Sequence, residues 1–342
     1  MRILVGLSGG LDSTWAVRAL LDEGHSVEGC ALRFSEHTDI EGAERVAGEL
    51  DIPLHIVDAA EAFNEFVVGN FISEYAAGRT PNPCIMCNRY AKIAALVDFA
   101  REHGFDRAAT GHYCGAVSEK GRCFIRCAAD MSKDQSYVLW QLTQDQLAML
   151  MMPLASLSKA DIRASARALG YSSAESKESQ EICFIPDHDY AAFIEARLGR
   201  FPEGDFVDET GKVVGRHNGI IHYTVGQRKG LGIALGRPYF ITRIEPETNH
   251  IHIAPAGGEM SRTIRVCGLN FQKLAPEDAC GNAVRCDVKV RYGAKAQSAE
   301  VSFSSDRRSA EITFDEPVRA ATPGQSAVGY IGGDLAFGGF IE

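Results

Sequence analysis

The chain has 342 residues, of which 45% are hydrophobic and 23% charged, and its 35 basic and 45 acidic side chains leave a net charge of -10. Those values exclude wholesale disorder and a generally basic nucleic-acid binder, but not a locally basic face on an acidic body. At about 150 residues per domain, two or three domains are expected. No window approaches the roughly 18 apolar residues of a membrane span, and the first residues lack the pattern of a signal peptide. Ten cysteines in such a chain read as reduced thiols of a cytoplasmic protein.

In chain order, Ile3 to Leu7 reads as a buried strand, and Val17, Leu20 and Leu21 share one face of the helix that follows. Val27 to Phe34 is a second strand, Ile40 to Leu50 a second helix, Leu54 to Val57 a third strand and Glu61 to Ala77 a longer helix. After the loop Thr80-Pro81-Asn82-Pro83, a helix covers about Asn88 to His103, and Ala108 to Tyr113 leads out of another strand. Such alternation predicts a doubly wound parallel sheet with helices on both faces, binding ligands at the carboxyl ends of its strands.

Thr143 to about Gly199 reads as helical, with Ser158 and Asp161 as a cap and Gly170 as a stop. From about Phe201 short strand-like runs take over, at Val207, Val213-Val214, Ile220 to Tyr223, Tyr239 to Ile244 and Ile251 to Ile253. Alternation strengthens after Arg262, as in Ala283 to Tyr292. The fold class is therefore α/β. A parallel-sheet domain over residues 1–200, helical in its last part, precedes two small, antiparallel, barrel-like β-rich domains over 201–262 and 263–342.

Gly6-Leu7-Ser8-Gly9-Gly10-Leu11-Asp12-Ser13 lies between the first strand and the first helix. Glycines let the backbone approach an anion, successive N–H groups form a nest, and the helix start adds positive potential. Ser8 and Ser13 can donate hydroxyls. Asp12 repels a bare phosphate but suits one accompanied by Mg2+. The loop contains no lysine, which disfavours a γ-phosphate hydrolase.

Cys84-Ile85-Met86-Cys87 heads a predicted helix, whose N-terminus favours thiolate. The spacing suits a redox pair, a metal site or a cluster. Cys183 follows polar residues and precedes apolar ones, as in a loop entering a buried strand. Cys30 reads as core. Cys123 and Cys127 sit on one face of a hairpin but supply only two of the four ligands zinc needs. Cys114, Cys267, Cys280 and Cys286 have no partner motif.

The glycine loop carries the SGGxDS signature and resembles that of the PP-loop ATP pyrophosphatases, which implies cleavage of ATP between its α- and β-phosphates. Five further segments occur in order: Thr80 to Asn88, Ala109-Thr110-Gly111-His112-Tyr113, Lys133 to Tyr137, Glu178 to Pro186 and Tyr223 to Gly232, followed by Thr322-Pro323-Gly324-Gln325-Ser326. Together they resemble the tRNA-specific 2-thiouridylases, the MnmA family, over almost the whole chain. The resemblance implies adenylation of the 2-carbonyl of the wobble uridine in certain tRNAs, then replacement of its oxygen by sulfur.

By the same resemblance, Gly6 to Ser13, Leu32 and Gly111 bind ATP, Cys87 is the nucleophile and Cys183 carries a persulfide. Asn82, Pro83 and Cys84 lie against the flipped uridine. His112, Lys133, Asp134 and Gln135 contact tRNA nearby, and Arg291, Tyr292 and Gln325 contact it from the C-terminal domain. Flipping is expected, since a base undergoing chemistry must leave its stack. The sulfur donor is a cysteine desulfurase or a relay protein.

Many members of that family carry aspartate where this chain has Cys84. With Cys87 and Cys183 this makes three thiolates, and we expect them to hold a [4Fe–4S] cluster with one open iron. The competing two-cysteine form needs no cluster. Basic patches for phosphate contact are Lys159, Arg163 and Arg167 on one helix, Arg228 and Lys229, and Arg285, Lys289 and Arg291. Two rival functions are a PP-loop ligase that transfers an amine and has no use for the cysteines, and an inactive tRNA-binding module.

Overall fold

The computed structural model describes residues 1–176, 182–185, 187–233, 235–279, 281 and 283–342. The first part of the chain supplies strands β1 (Arg2–Gly6), β2 (Ser26–Arg33), β3 (Leu54–Asp58) and β4 (Arg107–Ala109). The hairpin β5 (Cys114–Glu119) and β6 (Arg122–Cys127) follows, then β7 (Leu150–Met151). β1 to β4 and β7 form a parallel sheet in the order β3-β2-β1-β4-β7. The order reverses between β1 and β4, so the crevice at their carboxyl ends is where such a sheet takes a ligand.

β1 is apolar from Ile3 to Val5 because both of its faces are covered there, and these three residues are fully buried. On one face Ile3 and Val5 share a core with Ala16, Val17 and Leu20 of α1 (Leu11–Asp22) and Ala43, Val46 and Leu50 of α2 (Glu41–Leu50). On the other Leu4 and Cys30 meet Ile93, Leu96 and Val97 of the helix Ile93–Glu102. The Cys30 reading holds: it is core, and burial pushes its thiol up to about 12.

Two long helical stretches, 60–76 and 83–102, are each interrupted by a π-helical segment, Phe63–Gly69 and Cys87–Lys92. The two wide segments pack on each other, with Phe63, Val67, Cys87 and Ala91 in one apolar cluster. Such bulges concentrate at functional sites. Ser158 sits at the N-cap of the helix Lys159–Ala168 but makes no side-chain cap hydrogen bond, contrary to the capping expected from Asp161.

The central sheet contains β8 (Gly204–Val207), β9 (Val213–His217), β10 (Tyr239–Glu245) and β11 (His250–Pro255) in the order β10-β11-β8-β9. It corrects the expectation of a purely antiparallel barrel, because β11 runs parallel to β8. Ile220 to Tyr223 is not a strand either. Ile220–His222 is a 3-10 turn that buries Ile220 and Ile221 against Phe206, and apolar residues at a tight turn mimic a strand in sequence.

The last six strands are β12 (Met260–Phe271), β13 (Val284–Lys289), β14 (Gln297–Phe303), β15 (Ser309–Arg319), β16 (Ser326–Ile331) and β17 (Asp334–Ile341). They close into a barrel in the order β12-β15-β14-β13-β16-β17, with β17 pairing back to β12. Inward Cys286 and Val288 alternate with outward Arg285 and Asp287, as a barrel wall requires. The hairpin β5–β6 leaves the parallel sheet and joins the barrel edge, Arg126 pairing with Asp334.

Gln272 fastens the barrel to the first domain. It is fully buried, its Oε1 accepts from Ile125 N at 3.0 Å, and its Nε2 donates to the Leu139 and Trp140 carbonyls at 2.9 and 3.1 Å. Gln272→Ala strands these buried partners and should cost about 3 kcal/mol of stability. Urea unfolding followed by tryptophan fluorescence would check this, and an unchanged midpoint would refute the role given to Gln272.

Candidate active site

The glycine loop leaves β1 at the switch point. Gly9 has φ +77°, and a Cβ on it would lie 2.5 Å from the Gly42 carbonyl carbon at the start of α2. Only glycine lets the loop lie this close. Ser8 N donates to Ser13 Oγ at 3.2 Å, the two serine hydroxyls are 3.1 Å apart, and Ser13 Oγ donates to Gly10 O at 2.9 Å. Gly10 is the N-cap of α1 and offers no side chain, so the first turn keeps N–H groups for a ligand. Leu11 N donates to Ser176 Oγ.

Gly111, just past β4, abuts the loop: a Cβ there would meet the Asp12 backbone at 2.7 Å. Leu32, half-buried at the end of β2, pairs with Val57 across the sheet. Both Asp12 carboxylate oxygens are engaged. Oδ1 accepts from the Tyr113 hydroxyl at 2.9 Å, and Oδ2 accepts from Lys159 Nζ at 3.1 Å.

Two of the thiols, Cys84 and Cys87, lie on the helical stretch that begins at Pro83. Asn82 caps it, its side chain accepting from Cys84 N at 3.1 Å, and Pro83 takes the first helical position. Cys84 is exposed and Cys87 buried. Phe184, beside Cys183, packs on the Cys87 cluster, and the three thiols Cys84, Cys87 and Cys183 lie within electrostatic range of one another.

A thiolate-favouring helix start does not prevail at Cys87. Burial pushes its thiol up to about 11, opposed by the nearby Lys92 ammonium. Cys183 is exposed as a residue, yet burial of its sulfur raises it too, and Lys92 again pulls the other way. Residues 182–185 form a turn in place of the predicted strand entry, Ile185 N donating to Ile182 O. The motif residues 178–181 and Pro186, like Cys280, lie outside the described residues.

His112 is buried behind the loop and shares a 2.8 Å hydrogen bond between Nδ1 and Thr110 Oγ1. Asp134 is also buried, its carboxylate accepting from Ala128 N, Ser136 N and Ser136 Oγ. Gln135 Oε1 accepts from Tyr113 N, and Lys133 is half-buried nearby.

The loop before Asn82 is held by both later domains. Thr80 N donates to Pro323 O at 2.8 Å, Gln325 Nε2 donates to Thr80 O at 2.7 Å, and the Thr80 hydroxyl donates to Thr224 Oγ1 at 3.3 Å. Gln325 thus has a partner within the chain. Arg291 and Tyr292 are exposed on the barrel, with Lys289 Nζ 5.9 Å from the Tyr292 ring, and burial of the Tyr292 hydroxyl, then Asp134 and Cys84, raise it above its ordinary value.

The helix patch Lys159, Arg163 and Arg167 is not an open basic face. Lys159 goes to Asp12, Arg163 donates to the carbonyls of Ala174 and Ser176, and Arg167 pairs with Glu175. Arg285 pairs with Asp315, while Arg228 and Lys229 are exposed. Sequence reasoning missed three positions here. Tyr113 and Lys159 meet at Asp12, and Lys92 faces the thiols from the far end of a π-helical turn. Tyr113 stands in a quoted motif and Lys159 in the basic helix patch, but only folding brings them together at Asp12.

A glycine-rich anion loop at the switch point of a parallel sheet defines a nucleotide-binding α/β protein, and this one carries two thiols on a helical stretch of the same domain. Family models described as tRNA methyl transferase HUP domain, tRNA methyl transferase PRC-barrel domain and aminomethyltransferase beta-barrel domain match residues 1–187, 191–255 and 261–341. A tRNA-specific 2-thiouridylase MnmA of Clostridium acetobutylicum is 40% identical over all of this chain and 99% of its own length. The protein of that name from Carboxydothermus hydrogenoformans is 40% identical over all of this chain and 97% of its own. The chain belongs to the tRNA-specific 2-thiouridylase family. Among solved structures, a 4-thiouridine synthetase–RNA complex with bound ATP has 18% identity and a TM-score of 0.39, covering 57% of this chain and 50% of its own.

Burial, and then Lys92, hold the His112 imidazole down to about 3. In the unfolded chain it protonates below its ordinary value near 6.5, so its contribution to stability is complete above that value and declines as pH falls toward 3. We expect its NMR signals not to titrate between about pH 8 and about pH 5. A midpoint near 6.5 in the folded protein would refute the burial argument.

Proposed function

We propose that the protein is an ATP-dependent tRNA-uridine 2-sulfurtransferase that replaces the 2-carbonyl oxygen of the wobble uridine with sulfur. The observation that carries this reading is that the segment of Cys183, remote in sequence, packs on the Cys87 cluster, Phe184 lying 5.6 Å from the Phe63 ring, in a chain with a glycine loop at its sheet's switch point. The end-to-end likeness to 2-thiouridylases supports it. Two of the matching family models are described by methyl transfer, but a phosphate loop and paired thiols suit adenylation and sulfur transfer better.

ATP use goes with the PP-loop family. The first-turn N–H groups of α1 and the hydroxyls of Ser8 and Ser13 bind the phosphates. Mg2+ carried by the nucleotide would be held at Asp12, the loop's one carboxylate, and would screen phosphate charge. The uridine carbonyl oxygen attacks the α-phosphorus, and the α–β bond breaks with release of pyrophosphate. The terminal sulfur of a Cys183 persulfide attacks C2, and AMP departs with the oxygen. The Cys87 thiolate then attacks Cys183 Sγ. The S–S bond breaks, sulfur stays on the uridine, and Cys87 and Cys183 form a disulfide. A thiol reductant supplies two electrons to reopen it, and a desulfurase or relay protein recharges Cys183.

The described residues do not fit the [4Fe–4S] site. No three of their His, Cys, Asp and Glu side chains converge in metal-holding geometry, and the Cys87 thiol is held protonated by burial. No step is assigned to a cluster, and the two-cysteine form is preferred. The tRNA is gripped through Arg291, Tyr292, Arg228 and Lys229 with the barrels. No helix among the described residues is long and apolar enough to cross a membrane, which fits a cytoplasmic enzyme acting on tRNA.

Cys87→Ser and Cys183→Ser should each lower thiolation at least about 100-fold while leaving tRNA-dependent ATP–pyrophosphate exchange within about threefold, because adenylation precedes sulfur attack. Cys84→Ala should keep most activity when persulfide is supplied to metal-free protein. Mass spectrometry of tRNA nucleosides reads the product. Retained thiolation in both serine variants would overturn the roles given to the two cysteines, exchange without a thiolated nucleoside in the unaltered protein would point to the amine-transferring ligase, and absence of exchange to the inactive tRNA-binding module.

A further inference from the structure

Two cysteines with no part in the proposed reaction are brought face to face. Sequence spacing puts Cys123 and Cys127 on one face of β6, but four residues of strand set them roughly 13 Å apart. Cys123 Sγ lies instead 3.7 Å from the hydroxyl of Ser118, directly across the hairpin. The residue directly across from Cys127 is Cys114, and both are free thiols. We propose that Cys114 and Cys127 are a second redox dithiol, which small-molecule disulfides oxidise to a cross-strand disulfide. The bond clamps the base of the hairpin and the segment 133–136 that hangs from it.

The register carries the proposal. In an antiparallel pair, opposed residues alternate between those that exchange N–H···O bonds and those that do not. In the second kind the Cα atoms are about 4.5 Å apart and the side chains closer, and a disulfide spans Cα separations of about 4.4–6.8 Å. The turn between β5 and β6 is Lys120-Gly121, both at positive φ, so the flanking pair Glu119–Arg122 is of the bonded kind. Counting back by alternation, Cys114–Cys127 is of the other kind. The N–H groups agree: Cys123 N goes to Gln144 Oε1, Ile125 N to Gln272 Oε1 and Cys127 N to Gly333 O, all outside the hairpin. Cys114 N goes to His112 O. The two thiols therefore stand opposite each other on one face, at the spacing a disulfide takes.

Their surroundings assign the roles. Cys114 is fully buried, its Sγ 3.1 Å from Met152 Sδ, whereas Cys127 is half-buried, its Sγ 3.6 Å from Ser136 Oγ. Cys127 is thus the sulfur that a soluble disulfide reaches. Its thiolate attacks one sulfur of RSSR, the S–S bond breaks, and one RS⁻ leaves and takes up the proton that Cys127 gave up. Cys114 then loses its proton and attacks Cys127 Sγ. The mixed S–S bond breaks and the second RSH leaves, so two electrons have passed from the dithiol to the small disulfide. Burial, and then Asp134, raise both thiols above their ordinary value. Exchange is slow for that reason, and a reduced form without a stabilised thiolate favours the disulfide once it is made.

The consequence lies in the neighbouring residues. Tyr113, beside Cys114, donates its N–H to Gln135 Oε1, and its carbonyl accepts from Gln135 N. Ala128, beside Cys127, donates to Asp134 Oδ1. Segment 133–136 is held from the two strand ends that the bond joins, so oxidation fixes their separation and quiets the segment.

The test equilibrates the full chain with graded ratios of reduced to oxidised glutathione, blocks the remaining thiols, and maps the peptides by mass spectrometry. A Cys114–Cys127 link should persist to a ratio at least about tenfold above the one at which Cys123, a single thiol on the same strand, loses its glutathione. Cys114→Ala should leave Cys127 with a mixed disulfide that reverses alongside that of Cys123, and Cys127→Ser should leave Cys114 a free thiol. Amide exchange over residues 133–136 should slow at least about threefold in the linked protein, and Cys114→Ala should abolish that change. A Cys127 that stays free or only glutathionylated in the unaltered protein would overturn the dithiol, as would a link that reverses together with Cys123. Unchanged amide exchange in fully linked protein would overturn the clamp.

Discussion

The backbone of Thr80 is the point on which the site depends. Its N–H and its C=O are both taken by the segment before β16, through Pro323 O and Gln325 Nε2, and its hydroxyl reaches Thr224 in the central domain. Gly324, at φ +86°, permits this approach, since a Cβ there would lie 2.9 Å from Thr80 N. Two residues after Thr80 comes Asn82, which caps the cysteine-bearing helix. The geometry of Cys84 and Cys87 is therefore set by residues from all three parts of the chain. Three sequence motifs far apart, around Thr80, Thr224 and Gln325, are one mechanical joint.

This joint gives the C-terminal barrel a second task. Trp140 Nε1 donates to Ser326 Oγ, and the Tyr137 hydroxyl donates to Ser326 O, so the residue after Gln325 is fixed to the first domain as well. A tRNA held by Arg291 and Tyr292 would pull on a body connected rigidly to the thiol helix. On the proposed reading, substrate grip and catalytic alignment would thereby be coupled through packed, hydrogen-bonded contacts.

What was legible in the sequence was what depends on near neighbours. The apolar run of β1, the glycines that follow and the Asn82-Pro83 helix start announce themselves within a few residues, and the structure places them accordingly. The alternation of Val284, Cys286 and Val288 announces a barrel wall in the same way. What was not legible depends on partners far along the chain. Ile220-Ile221 is as apolar as a strand, but Phe206 and Ile251 cover it as a 3-10 turn. The parallel pairing of β8 with β11 follows from how the intervening segment returns, which no local pattern records. Lys159, Arg163 and Arg167 have the spacing of a solvated stripe, and only the positions of Asp12 and Ser176 show the first two to be engaged inward, while Arg167 pairs with Glu175 at the surface.

The thiols show why burial and reactivity must be weighed together. A helix start lowers a cysteine's pKa by favouring negative charge, but the effect fades beyond the first turn, and Cys87 follows that turn. Its surroundings are Phe63, Val67 and Ala91, which offer nothing to an anion. Burial therefore wins, and the resting thiol is protonated. For sulfur transfer this is useful. On the proposed reading, a buried, protonated Cys87 would not attack a Cys183 persulfide prematurely, whereas an exposed thiolate would discharge it before a uridine was in place. Lys92 supplies the opposing field at both thiols. In the proposed reaction, deprotonation of Cys87 would then time the release of sulfur, and the apolar cluster around it would set how hard that step is.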